Sequence, residues 1–172
     1  MEVFLDAATS GALAGNIVRV ISNRPDAQGI IIARNRGIAT TVIDHQQFAA
    51  REAFDAALAD EVAANNPDIV VLAGFMRILT PVFINRFLGK LVNIHPSLLP
   101  KYAGLNTHQR AIDAGDKEAG ATVHYVTNEL DGGPAILQAR VNIANTDDAR
   151  TLACKVLEVE HLIFPEAVNW QL

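Results

Sequence analysis

A doubly wound α/β fold around a mostly parallel sheet is the architecture this sequence predicts, and three observations carry the prediction. Short β-branched apolar runs alternate with segments whose apolar residues recur three and four apart, the two periodicities of strand and helix. Gly, Pro and Asn fall at the joints between them. The run DIVVLAG (68–74) is apolar almost throughout, as in a parallel strand covered on both faces. Repeated strand–helix units of this kind build a parallel sheet with helices on either side.

The elements follow in order. NIVRVIS (16–22) reads as a strand, SNRPDAQG supplies turn chemistry, and 30–36 reads as a short helix stopped by Gly37. TTVID (40–44) is a second strand, and the helix expected from about 50 to 65 gathers Phe54, Ala57, Leu58 and Val62 on one face. DIVVLAG should be the central strand. Pro81 opens a helix expected to reach Leu88, Gly89 stops it, and 90–95 is the next strand. Residues 107–114 read as a helix, while 121–127 and 135–143 read as strands flanking NELDGGP. A final long helix from Asp147 to about Trp170 turns Leu152, Val156, Val159 and Ile163 inward, with a bend expected at Pro165.

With 172 residues, half of them hydrophobic, the chain has apolar material for one ordinary core, and a single domain over 1–172 is expected. The lone Cys154 has no disulfide or CxxC partner, which fits a reducing, cytoplasmic setting. A net charge of −5 without a Lys/Arg cluster argues against a nucleic-acid partner. The apolar runs fall short of a membrane span, and no signal-peptide layout opens the chain.

Sheets of this class bind ligands beyond the carboxyl ends of their strands, which directs attention to three segments. In LVNIHPSLLPKYAG (91–104), Asn93 and His95 are two apart and so share one strand face, while Val92 and Ile94 take the other. In NELDGGP, Asp131 precedes two glycines and a proline, a sharp turn that brings backbone close to a ligand. In AGFMRIL (73–79), Gly74 permits close approach, and Phe75, Met76, Ile78 and Leu79 offer an apolar slot for a flat ring system. His45, His124 and His161 carry less signal, and His108, which follows Thr107 at a helix start, reads either as a residue that reaches the site or as a helix-terminal polar residue. His95, His108 and Asp131 lack the short spacing of a metal site, so no metal is expected. No GxxxxGK[ST], GxGxxG or GxSxG motif is present, which leaves ATP, NAD and serine-hydrolase chemistry without a sequence basis.

Taken together, NIHPSLLPKYAG, AGFMRIL and VTNELDGGPAIL resemble the phosphoribosylglycinamide formyltransferases, folate-dependent enzymes of purine synthesis. The resemblance runs on through VISNRPDA, RGIATTVI, FAAREAFDAAL and VLEVEHLIFPEAV. It implies a Rossmann-like formyltransferase fold, 10-formyltetrahydrofolate as cosubstrate and glycinamide ribonucleotide as acceptor. It implies a catalytic trio of Asn93, His95 and Asp131. By the same resemblance Arg51, Met76, Arg77, Ile78 and Leu79, with Asn93 and Asp131, hold the folate; Gly74, Met76, Pro96 and Glu160 line the ribonucleotide side. Methionyl-tRNA formyltransferase and formyltetrahydrofolate hydrolase share parts of the pattern. Another formyl transfer or hydrolysis, or folate binding alone, therefore stays open.

Family members begin with a strand and a Gly-Ser-Asn loop, and Met1–Ala8 aligns with the helix that follows them. The expectation is a chain without that first strand and phosphate loop, shortened also after NWQL. An exposed sheet edge would leave a homodimer open.

Overall fold

The computed structural model describes residues 1–172. Helix α1 (Glu2–Ser10) leads to strand β1 (Val20–Ser22), helix α2 (Gln28–Asn35) and strand β2 (Thr40–Val42). Helix α3 (Arg51–Ala63), strand β3 (Val70–Leu72), helix α4 (Pro81–Ile84) and strand β4 (Leu91–His95) repeat the unit. Helix α5 (Thr107–Asp113), strands β5 (Glu118–Tyr125) and β6 (Ala135–Asn142), and helix α6 (Ala149–Asn169) complete the chain. The strand–helix alternation that the sequence predicts is therefore present, with parallel pairing of β1 with β2 and of β3 with β4.

The last three strands depart from all-parallel order. β5 runs antiparallel to β4 and β6 antiparallel to β5. Only a short connection, NELDGGP and its neighbours, joins β5 to β6, and short loops join antiparallel strands where parallel ones need a crossover.

β1 and β2 form one sheet and β3–β4–β5–β6 another. A groove of about 720 Å³ runs between β1 and β3, lined by residues including Val18, Val20, Ile21, Ile69 and Val71. Val20 N–H donates to Ala39, Ser22 accepts from Ile43 N–H, and Val70 N–H donates to Lys90. Alternate residues of a strand bond to opposite sides, so the amide groups of Ile21 and Val71 face the groove. This corrects two expectations. DIVVLAG is an edge strand of its sheet, and Val70, Val71 and Leu72 are only half-buried. The strand expected over 16–22 is ordered as strand only at 20–22, because residues 16–19 run along the groove with no ladder to join.

Helices cover both faces. Phe54, Leu58 and Val62 of α3 pack with Phe83 and Ile84 of α4 on Leu91, with Ile21 and Ile43 at the margin. On the other face Phe4 of α1 and Phe164, Ala167 and Val168 of α6 pack on Val92 and Val123. Leu152 and Val156 of α6 continue this layer over Ala119 and Ala121. One predicted helix ends early: α4 closes at Ile84 and continues as turns through Phe87, whereas α6 reaches Asn169 with Pro165 inside it. The amino end of α6 is fixed by Asp148 and Thr151, each side chain accepting the other's backbone N–H.

Candidate active site

Strand alternation builds the site. On β4, Leu91 faces α3 and α4 while Val92 and Ile94 face α6, so Asn93 and His95 continue the Leu91 face toward the carboxyl end. There the helices give way to two loops, 96–106 and 128–134. β5 adds two more side chains to the same face, with His124 opposite Asn93 and Thr122 opposite His95.

The loop NELDGGP folds back over them. Asp131 adopts a left-handed backbone (φ 52°), which Asp tolerates better than most residues. A side chain at Gly133 would put its Cβ 1.8 Å from the Tyr125 carbonyl oxygen, so only glycine fits. The Asp131 carboxylate is nearly buried. One oxygen lies 3.4 Å from His95 Nδ1 and accepts the Gly104 N–H at 2.9 Å; the other lies 3.9 Å from His124 Nε2.

Both imidazoles are buried, and both have one nitrogen fixed by backbone. His95 Nε2 meets the Tyr102 carbonyl at 2.9 Å, and His124 Nδ1 meets the Tyr125 carbonyl at 2.9 Å. A carbonyl only accepts, so each of those nitrogens carries a hydrogen. Burial lowers the His124 pKa, against its bond to Tyr125 and the nearby Asp131, and so favours the neutral ring. Its Nε2 is then an acceptor for the Asn93 amide, 3.4 Å away. That contact occupies one hydrogen of the amide and leaves the second for another acceptor.

His108, at the start of α5, has its pKa lowered by burial first and by repulsion from His95 second. Its Nδ1 is buried without a hydrogen-bond partner. No three His, Cys, Asp or Glu side chains are grouped to hold a metal ion.

Asn93, His95 and Asp131 thus come together. The other residues that the sequence singles out spread around this centre. Met76 and Ile78 are 82% and 59% exposed, an apolar surface free to be covered. Leu79 is buried with Phe54 and Phe83, so the slot expected of its side chain is core packing, and only its backbone remains to meet a ligand. The Arg77 guanidinium lies 5.2 Å over the Phe54 ring. Arg51 is exposed at the first turn of α3, and Gly74 is exposed with φ 69°. Pro96 lines a cavity of about 410 Å³ behind the His95 loop. Glu160 on α6 has its pKa raised by burial.

Two contributors are missing from the sequence reading, the Tyr102 carbonyl and the Gly104 N–H, and a third, His124, is undervalued there as a histidine of little signal. The spacing of Thr122 and His124, two apart in ATVHYVT, puts both on one face. Which face that is depends on the register with β4.

A family model described as formyl transferase matches residues 1–168. The phosphoribosylglycinamide formyltransferase of Escherichia coli (strain K12) is 46% identical over 170 residues, covering 99% of this chain and 80% of that protein. That of Haemophilus influenzae is 45% identical over 170 residues, with the same coverage of 99% and 80%. Among solved structures, the phosphoribosylglycinamide formyltransferase of Coxiella burnetii superposes with a TM-score of 0.93 at 46% identity, covering 98% of this chain and 79% of that one.

Proposed function

The chain belongs to the formyl transferase family, and on that premise we propose that it transfers the formyl group of 10-formyltetrahydrofolate to the amine of glycinamide ribonucleotide, a step of purine biosynthesis. The observation that carries this reading is the meeting of Asn93, His95 and Asp131 on one strand face under one loop, with His95 Nδ1 3.4 Å from Asp131.

The chemistry asks for three services. The acceptor amine attacks the formyl carbon, a C–N bond forms, and the carbonyl oxygen takes up negative charge. The free hydrogen of the Asn93 amide and a protonated His95 are the donors for that oxygen, beside imidazoles that are themselves buried. The amine then loses a proton, the folate nitrogen gains one, and the original C–N bond breaks, releasing tetrahydrofolate. In this reading Asp131, directly or through water, carries the proton between them. No covalent enzyme intermediate and no metal enter this scheme.

The exposed Met76 and Ile78, with Arg51, Arg77, the Leu79 backbone, Asn93 and Asp131, form the folate side of this reading. Gly74, Met76, Pro96 and Glu160 form the ribonucleotide side; the raised Glu160 carboxyl suits hydrogen bonding to sugar hydroxyls. In this reading 1–172 acts as one domain, a cytoplasmic enzyme whose partners are small molecules.

The test supplies the purified chain with 10-formyltetrahydrofolate and follows tetrahydrofolate release with and without glycinamide ribonucleotide. Release that depends on the ribonucleotide supports the transferase. Release at the same rate without it identifies a hydrolase, and no release under either condition overturns the proposal.

A further inference from the structure

His95, Thr122 and Gln138 occupy one cross-strand row, His95 opposite Thr122 and Thr122 opposite Gln138. Thr122 is wholly buried, and its hydroxyl is saturated. It donates to the Ser97 carbonyl at 2.7 Å, and accepts from Leu99 N–H at 3.0 Å and from the Gln138 side-chain amide at 2.8 Å. The same amide nitrogen donates to the Leu99 carbonyl at 2.9 Å. Ser97 Oγ closes the loop on itself by donating to the Lys101 carbonyl at 2.6 Å. The next carbonyl, that of Tyr102, receives His95 Nε2.

We infer that Thr122 and Gln138 are positioning residues that set which nitrogen of His95 faces the reaction. The row ties the sheet to both ends of the turn 97–99, and the turn presents the Tyr102 carbonyl at a fixed place. Because that carbonyl can only accept, it holds the hydrogen of neutral His95 on Nε2. Nδ1 is left bare toward Asp131, and a proton taken up by the ring goes there. Thr122 is the cross-strand neighbour of His95, but neither Thr122 nor Gln138 hydrogen-bonds its ring, and neither needs to touch substrate.

A loop clamp that served stability alone would lower the unfolding temperature and leave the ring unchanged. A positioning clamp changes the ring. The inference rests on the transferase reading for its kinetic consequence only, since the tautomer is a property of the resting protein.

The experiment records ¹⁵N resonances of the imidazoles in the labelled resting protein, assigned with His95→Gln, alongside steady-state kinetics. In the unaltered protein neutral His95 shows hydrogen on Nε2. Gln138→Ala, on the exposed side of the row, and Thr122→Val shift it to a mixture of tautomers. They lower kcat about tenfold, the worth of roughly one hydrogen bond, with KM changed less than about threefold. Thr122→Ser, which keeps the hydroxyl, restores both readouts.

If Thr122→Val does not fold, Gln138→Ala and Thr122→Ser decide the matter. An unaltered His95 tautomer in folded Gln138→Ala overturns the inference, as does a loss carried in KM alone. If the protein proves to have no transferase activity, the tautomer shift still tests the clamp by itself.

Discussion

The two sheets of this molecule are built from the same kinds of residue and end in different states. β4 and β5 are flanked by hydrogen-bonded neighbours on both sides and sandwiched between helices, and Val92, Ala121, Thr122 and Val123 are fully buried. β1 and β2 pair only with each other, and every residue of both strands is half-buried. Both halves are β-branched and apolar, so composition does not separate them. Neighbours do: a strand's burial belongs to the pairing, and the groove beside Ile21 and Val71 removes it from both sides at once. All three proposed catalytic side chains stand on, or fold over, the continuous sheet.

That contrast can be broken at its strong end first. His95→Ala or Asp131→Asn should lower turnover at least about a hundredfold, the usual scale for such groups, while the circular dichroism spectrum stays native. Near-normal turnover in either variant would remove that residue from the mechanism.

The next largest effect lies at the join between the halves. Phe54 packs against α4 and Leu91 of one half and borders Ile21 and Ile43 of the other. Phe54→Ala should cost about 3–5 kcal/mol in denaturant unfolding. A cost below about 1 kcal/mol would show that the halves do not share this core.

Asp55 sharpens the same point with a polar contact. Its buried carboxylate accepts the Thr80 N–H at 2.5 Å, so α3 fixes the entry to α4. Asp55→Ala leaves a buried donor unpaired and should cost about 1–3 kcal/mol, read from the unfolding midpoint.

The smallest effect is a pH slope. His124 has its folded pKa lowered by burial, so as pH falls below the ordinary histidine value the unfolded chain binds a proton that the native state refuses. Stability should fall as pH drops from 7 toward 5.5, and His124→Gln should flatten that part of the curve. Hydrogen exchange adds a direct comparison: amides of β1 and β2 should exchange well before those of β4 and β5.

Much of this was legible in the residues, and the illegible part has a common cause. Alternation alone places Asn93 and His95 together, and the two glycines after Asp131 mark a close turn. The order of elements follows from periodicity. What periodicity cannot report is a neighbour. DIVVLAG reads as a covered strand because its side chains are apolar, and only the arrangement of the sheets reveals that one side is open. His124 looks like any strand histidine until the register sets it opposite Asn93. Leu79 looks like pocket lining until α3 and α4 close over it. The row from His95 through Thr122 to Gln138 spans three strands, with Thr122 27 residues from His95 and Gln138 a further 16 along, so no local pattern announces it.

Gly133 carries a consequence for how this protein can vary. The atom that excludes a side chain there is a backbone oxygen, which has nowhere to go, whereas the obstacle at Gly132 is the Glu129 side chain, which can swing away. Two adjacent glycines that look equivalent on paper therefore have opposite tolerances. A saturation library across the pair should keep many residues at 132 and one at 133, so the distance between acid and imidazole is guarded by a single position at which a lineage has no room to drift.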